Sequence, residues 1–81
     1  MKEYESEVKT ARNPNTSSQT LEKLASDKDW FIRSCVAENP NTSSETLEKL
    51  ANDEDSYVYD CVTKNPNTPE YIKFYLYFNH A

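Results

Sequence analysis

The sequence predicts an all-α fold, a short solenoid of about three 26-residue helix-turn-helix repeats with atypical end caps. Three observations predict it. The tetrapeptide Asn-Pro-Asn-Thr occurs at 13–16, 39–42 and 65–68, and a period of ~20–50 residues marks units that bury their apolar faces only against their neighbours. Within each unit the apolar residues recur at i, i+3 and i+4, the stripe of a helix rather than the alternation of a strand. The apolar fraction is 36%, which suits a thin spine of buried side chains rather than a broad core. The whole chain, 1–81, reads as a single repeat domain.

Residues 1–12 read as an N-terminal half repeat. Tyr4 is in register with Trp30 and Ala11 with Ala37, but Glu3, Glu5 and Glu7 intervene, which predicts a loosely formed helix. Repeat 1 spans 13–38 and repeat 2 spans 39–64. Each opens on Asn-Pro, a stop signal for the preceding helix, because the residue before proline is driven out of the α region. Thr16 and Thr42 are placed to cap the next helix, with Gln19 and Glu45 three residues on to complete a capping box. The buried stripe of that helix is Leu21, Leu24 and Ala25, repeated as Leu47, Leu50 and Ala51. The acidic turns Asp27-Lys28-Asp29 and Asp53-Glu54-Asp55 then supply Asp29 and Asp55 as caps of a second helix. Its stripe is Ile32, Cys35 and Val36, and one period later Val58, Cys61 and Val62. The chain contains no glycine, and asparagine, the next most tolerant of left-handed backbone, is expected at the turns in its place.

The C-terminal capping repeat, 65–81, sets Pro69 just after Thr68, at the favoured first helical position. Ile72, Tyr75 and Leu76 continue the stripe after a one-residue deletion. Tyr71, Phe74, Tyr77 and Phe78 add more aromatic surface than one buried face can hide. That surplus is expected to form a bulky cap over the last repeat or a self-association surface, and hence a homodimer.

Composition narrows the function. A net charge of −5 argues against direct binding to nucleic acid or to an anionic membrane, both of which need clustered basic residues. No basic-then-apolar leader and no run of ~20 apolar residues is present, which predicts a cytoplasmic protein. Cys35 and Cys61 are one structural position used twice, so they are expected to be buried hydrophobes with raised thiol pKa values rather than a disulfide or a metal site. The single histidine, His80, is expected in a fraying tail, where it makes a poor general base. No enzyme and no cofactor is expected.

Asn-Pro-Asn-Thr, Leu-x-x-Leu-Ala, Asp-x-Asp and Ile32-Arg33-x-x-Val36-Ala37 together resemble the leucine-rich repeat variant family over about residues 13–76. The resemblance implies a right-handed superhelix of two helical layers, one α and the other α or 3₁₀. It also implies a bacterial or bacteriophage source and a role as an interaction module without shared catalytic residues. Some members are associated with an iron–sulfur cluster held by clustered cysteines; two stripe cysteines do not provide that set. The sequence departs from the family at Val58-Tyr59, where Val-Arg is favoured, which points to a role for Tyr59 specific to this protein.

What repeats sets the scaffold, so function is expected where the copies diverge. Trp30, Phe31, Arg33 and Ser34 become Ser56, Tyr57, Tyr59 and Asp60. Trp, Tyr and Arg are the types enriched at binding hot spots. The expected partner-binding residues are Trp30, Phe31, Arg33, Tyr57, Tyr59 and Asp60, meeting another protein. The alternative is an acidic inhibitor, a nucleic-acid-mimicking decoy that blocks a basic nucleic-acid-binding protein. A third class is a purely self-associating structural module.

Overall fold

The computed structural model describes residues 2–80. Met1 and Ala81, the outermost residues of the two end units, lie outside that range, as do the side chains of Lys2 and Glu3. Six α-helices and no strands are present among the described residues: α1 (Lys2–Arg12), α2 (Ser18–Leu24), α3 (Trp30–Glu38), α4 (Ser44–Leu50), α5 (Ser56–Lys64) and α6 (Glu70–His80). The fold is all-α. Helix α3 packs against both α1 and α5, forming a row, and each even-numbered helix leans on the odd-numbered helices next to it in sequence. The molecule is elongated, 39 × 22 × 16 Å.

The stripes read from the period form the core. Leu21, Ala25, Ile32, Cys35, Val36, Leu47, Leu50, Ala51, Val58, Cys61, Val62, Ile72 and Leu76 are buried, joined by Ala11 and Ala37. Leu24 is only partly covered and Tyr75 is exposed, so the middle stripe position is the weakest of the three at both ends of the stack. Helix α1 is a continuous helix, not the loose segment its acids suggested. Ala11 is fully buried beside α3, and Val8 packs on the same core. Tertiary burial of one face outweighs the acids in its sequence, as it commonly does for short amphipathic helices.

The caps differ from expectation by one residue. Ser17 and Ser43, not Thr16 and Thr42, cap α2 and α4, accepting from the backbone N–H of Thr20 and Thr46. Gln19 and Glu45 stay exposed and close no capping box. The threonines do something else. Thr16, Thr42 and Thr68 each donate their hydroxyl back to the carbonyl of Thr10, Val36 and Val62, at 2.7, 2.6 and 2.6 Å. Those carbonyls belong to the last turn of an odd helix, where the N–H of Asn13, Asn39 or Asn65 supplies one donor and the threonine a second. Each threonine therefore finishes the helix before the turn rather than starting the one after it. Pro69 occupies the position of Ser17 and Ser43, immediately before α6 begins at Glu70.

The asparagines hold the largest departure. No described residue has a positive φ, and Asn39 and Asn65 are extended at φ −74 with ψ 126 and 123, as the following proline requires. Their value lies in the side chain. Asn39 is buried and donates through Nδ2 to the carbonyls of Ala11 and Asn13, at 2.8 and 2.9 Å. Asn65 does the same to Ala37 and Asn39, at 2.8 and 2.9 Å. Each Oδ1 accepts from the backbone N–H two residues on, that of Asn41 or Asn67. The second asparagine of the motif adds a rim contact, from Asn41 to the Thr16 carbonyl and from Asn67 to the Pro40 carbonyl.

Removing this amide strands the buried Ala37 carbonyl and the Asn67 N–H, and leaves the Asn39 carbonyl with the Thr42 N–H alone. Asn65→Ala is expected to lower the unfolding free energy by at least ~1–3 kcal/mol, the cost of orphaned buried polar groups, read as a lower urea midpoint. Leu50→Ala, which opens the spine itself, is expected to cost ~2–5 kcal/mol in the same measurement.

Candidate interaction surface

The two acidic turns are built alike. Asp27 and Asp53 accept through Oδ1 from the N–H of Asp29 and Asp55, at 2.9 Å in both turns. Asp29 and Asp55 then accept from Phe31 and Tyr57 and cap α3 and α5. Every one of these four carboxylates has a structural duty, and no group of three or more His, Cys, Asp or Glu among the described residues is placed to hold a metal ion. Arg33 joins one turn to the next. Its Nε and Nη2 meet both carboxylate oxygens of Asp53, at 2.7 and 3.1 Å, while Nη1 donates to the carbonyls of Asp27 and Lys28. The guanidinium side chain is 12% exposed, and its hydrogen bond to Asp53 holds its pKa above the ordinary value. Arg33 is thus committed to spanning two repeats.

The turns present aromatic rings at the starts of α3 and α5. Trp30 and Tyr57 are 46% and 47% exposed and meet edge to face, centroids 5.3 Å apart at 83°. Phe31, half-buried against the core, packs edge-on to Trp30 at 5.8 Å. On the other side Phe31 helps line a shallow groove of about 340 Å³ with Tyr4, Glu5, Val8 and Lys9 of α1. Partial burial, and then the charge of Asp29, push the Tyr4 phenol above its ordinary pKa. Sequence reasoning left Tyr4 out of the surface, although its register with Trp30 was the signal that could have included it.

The remaining expected site residues lie elsewhere. Tyr59 is two residues from Tyr57 and so about 200° around the helix. It stacks on His80, centroids 3.8 Å apart at 17°. His80 is therefore the last residue of α6 and a packed one, not part of a frayed tail. Asp60 is exposed, beside a groove of about 350 Å³ that Tyr59, Thr63, Leu76, Tyr77 and His80 also line. The structure brings Trp30, Phe31 and Tyr57 together and sets Tyr59 and Asp60 at the α5–α6 end.

The cysteines are free and buried, one in α3 and one in α5. Burial pushes both thiols up. For Cys61, burial together with the Glu38 carboxylate 3.4 Å away raises the pKa from 9.0 to about 12. Burial thus disfavours the thiolate, the nucleophilic form, of both cysteines at neutral pH.

Residues 30–55 match the family model of the leucine rich repeat variant, one full period running from the first residue of α3 to the cap of α5. The match supports the resemblance to the leucine rich repeat variant family over that one period. No curated protein and no solved structure matches the chain. Leucine rich repeat variants are generally non-catalytic protein-interaction repeats. The matched period contains Trp30, Phe31, Arg33 and the complete acidic turn, so the Arg33–Asp53 pair lies within one family unit. No described helix is long and apolar enough to cross a membrane.

The thiol shift has a stability consequence. The unfolded Cys61 thiol ionises near its ordinary value and the folded one only near 12, so the stabilisation is complete below about pH 9 and is lost as pH climbs towards 12. The difference in urea midpoint between wild type and Cys61→Ala is expected to shrink across that window. Native protein at pH 8 is expected to resist thiol reagents until urea unfolds it.

Proposed function

We propose that this helical repeat protein is a non-enzymatic module that binds another protein through the aromatic surface of Trp30, Tyr57, Phe31 and Tyr4. The observation that carries the reading is the Trp30–Tyr57 pair: two large rings, each nearly half exposed, locked edge to face at the capped ends of two helices. Exposed Trp and Tyr that are already held in place lose little conformational freedom on binding, and such residues dominate interface energetics. The Asp caps fix the backbone from which both rings project, and Arg33 fixes one acidic turn against the other. The rings are therefore presented by a rigid frame rather than by a loop.

Charge plays a secondary part. Asp27, Asp29, Asp53, Glu54 and Asp55 stand beside the rings against Lys28 and the already paired Arg33. Such a rim steers a partner with basic residues and speeds its approach. Because four of these carboxylates are occupied by backbone or by Arg33, affinity is assigned to the aromatic centre and orientation to the acids.

Affinity capture from lysate of the source cells, at ~0.1 M and ~0.5 M salt, tests this, since screening removes mainly the exposed electrostatic contribution. A partner retained at both salts by wild type is expected to be lost from Trp30→Ala/Tyr57→Ala, with helicity by circular dichroism unchanged. Equal retention by the double variant sinks the aromatic surface. A basic partner released at high salt and indifferent to the double substitution assigns recognition to the acids instead.

A further inference from the structure

Helix α6 buries Ile72 and Leu76 and turns its opposite side outward. Tyr71, Phe74, Tyr77 and Phe78 are exposed there, at 59%, 61%, 67% and 75%. Three of the rings form a continuous layer, with Tyr71 one turn before it. Phe74 stacks with Phe78, centroids 6.3 Å apart at 14°, and Tyr77 meets Phe78 edge-on at 5.3 Å. Glu70 and Lys73 border the same groove. We propose that this face pairs with the same face of a second copy of the chain, giving a dimer in solution.

Three arguments favour a second copy over an unrelated partner. The first is charge. Two copies carry −5 each and repel, yet α6 offers one acid, Glu70, and one base, Lys73, so this face is close to neutral. A like-charged twin can approach there, whereas the acidic turns around Trp30 and Tyr57 exclude it. The second is composition. Interfaces between identical subunits are more apolar than transient ones, and the α6 face is almost wholly aromatic, whereas the Trp30 surface is small and acid-rimmed. The third is area. Aromatic side chains bury roughly 150–250 Å² each, so four rings at these exposures offer about 500 Å² per copy. Two copies then bury about 1,000 Å², the lower bound for a specific interface. The contacts within the ring layer limit the rotamers lost on pairing.

Sedimentation equilibrium of the full chain across about 5–500 µM tests the dimer by mass action. Wild type is expected to approach twice its 9.4 kDa mass, and Trp30→Ala/Tyr57→Ala to do the same. Phe74→Glu/Phe78→Glu is expected to stay monomeric with unchanged helicity. Should that variant lose its helicity, Tyr77→Lys, on the exposed rim of the face, is expected to weaken association at least tenfold. The proposal is overturned by wild type that remains monomeric throughout, as when another protein is the occupant. Mass that grows without limit, or a folded variant that still dimerises with undiminished affinity, overturns it equally.

Discussion

The side-chain amides of Asn39 and Asn65 set the spacing on which the rest of the molecule depends. Each even helix that forms a full stripe, α2 and α4, is only seven residues long, far below the length at which an isolated helix holds itself together. Order must come from neighbours. The amide supplies it by reaching back one repeat to the carbonyls of Ala11 and Asn13, or of Ala37 and Asn39, at the end of the preceding odd helix. The Ala11 and Ala37 carbonyls are left over by helix geometry, while those of Asn13 and Asn39 also accept the Thr16 and Thr42 N–H. Aspartate lacks the donors, and glycine has no side chain to reach. The motif has three copies, but Asn13 has no described repeat before it, is exposed, and keeps only the local bond to the Asn15 N–H.

The same register explains how one position takes two solutions. Arg33 meets Asp53 because the next repeat supplies an acidic turn one period after Asp27. At the equivalent place for Tyr59, the last repeat has lost one residue and runs on as helix, so no acidic turn follows. Helix α6 continues for four residues past Leu76, whose counterparts Ala25 and Ala51 end their helices, and it lays His80 over the Tyr59 ring. Arginine with no carboxylate to meet would leave a charge unpaired in a partly covered site; a ring on a ring closes the end instead. Thr63, in place of the buried Ala37, is exposed, and no odd-numbered helix beyond α5 is present among the described residues.

Much of this was legible in the sequence because it is local and periodic. The helix stripes, the Asp29 and Asp55 caps and the buried thiols each follow from residues within one turn of each other. Properties decided by contacts across repeats were not. Thr16 and Ser17 are adjacent hydroxyls, either able to cap; which one does so depends on a carbonyl six residues back at the end of another helix. Asparagine at a glycine-free turn suggested backbone tolerance, while its amide serves a neighbour 26 and 28 residues away. His80 looked free because the sequence does not show that α6 bends no further and returns to α5. Arg33 looked like a contact residue because its type is right for one, and only the distance to Asp53 reveals that it is occupied.

The surface proposed at Trp30 and Tyr57 rests on divergence between the copies more than on either copy alone. The two rings are not equivalent positions: Trp30 corresponds to Ser56, and Phe31 to Tyr57. Strict repetition would place Trp at both first positions and Phe at both second ones. Replacing the second Trp by Ser and the second Phe by Tyr keeps a ring on α5 in edge-to-face contact with Trp30, and gives it a hydroxyl in place of a purely apolar edge. The repeat thus delivers two helix ends at a fixed separation, and substitution at offset positions turns that separation into an asymmetric aromatic pair. A surface made this way has polarity along the stack, with Tyr4 and Phe31 on one side and the acidic Asp53-Glu54-Asp55 turn on the other, so the proposed surface offers a partner two chemically different edges.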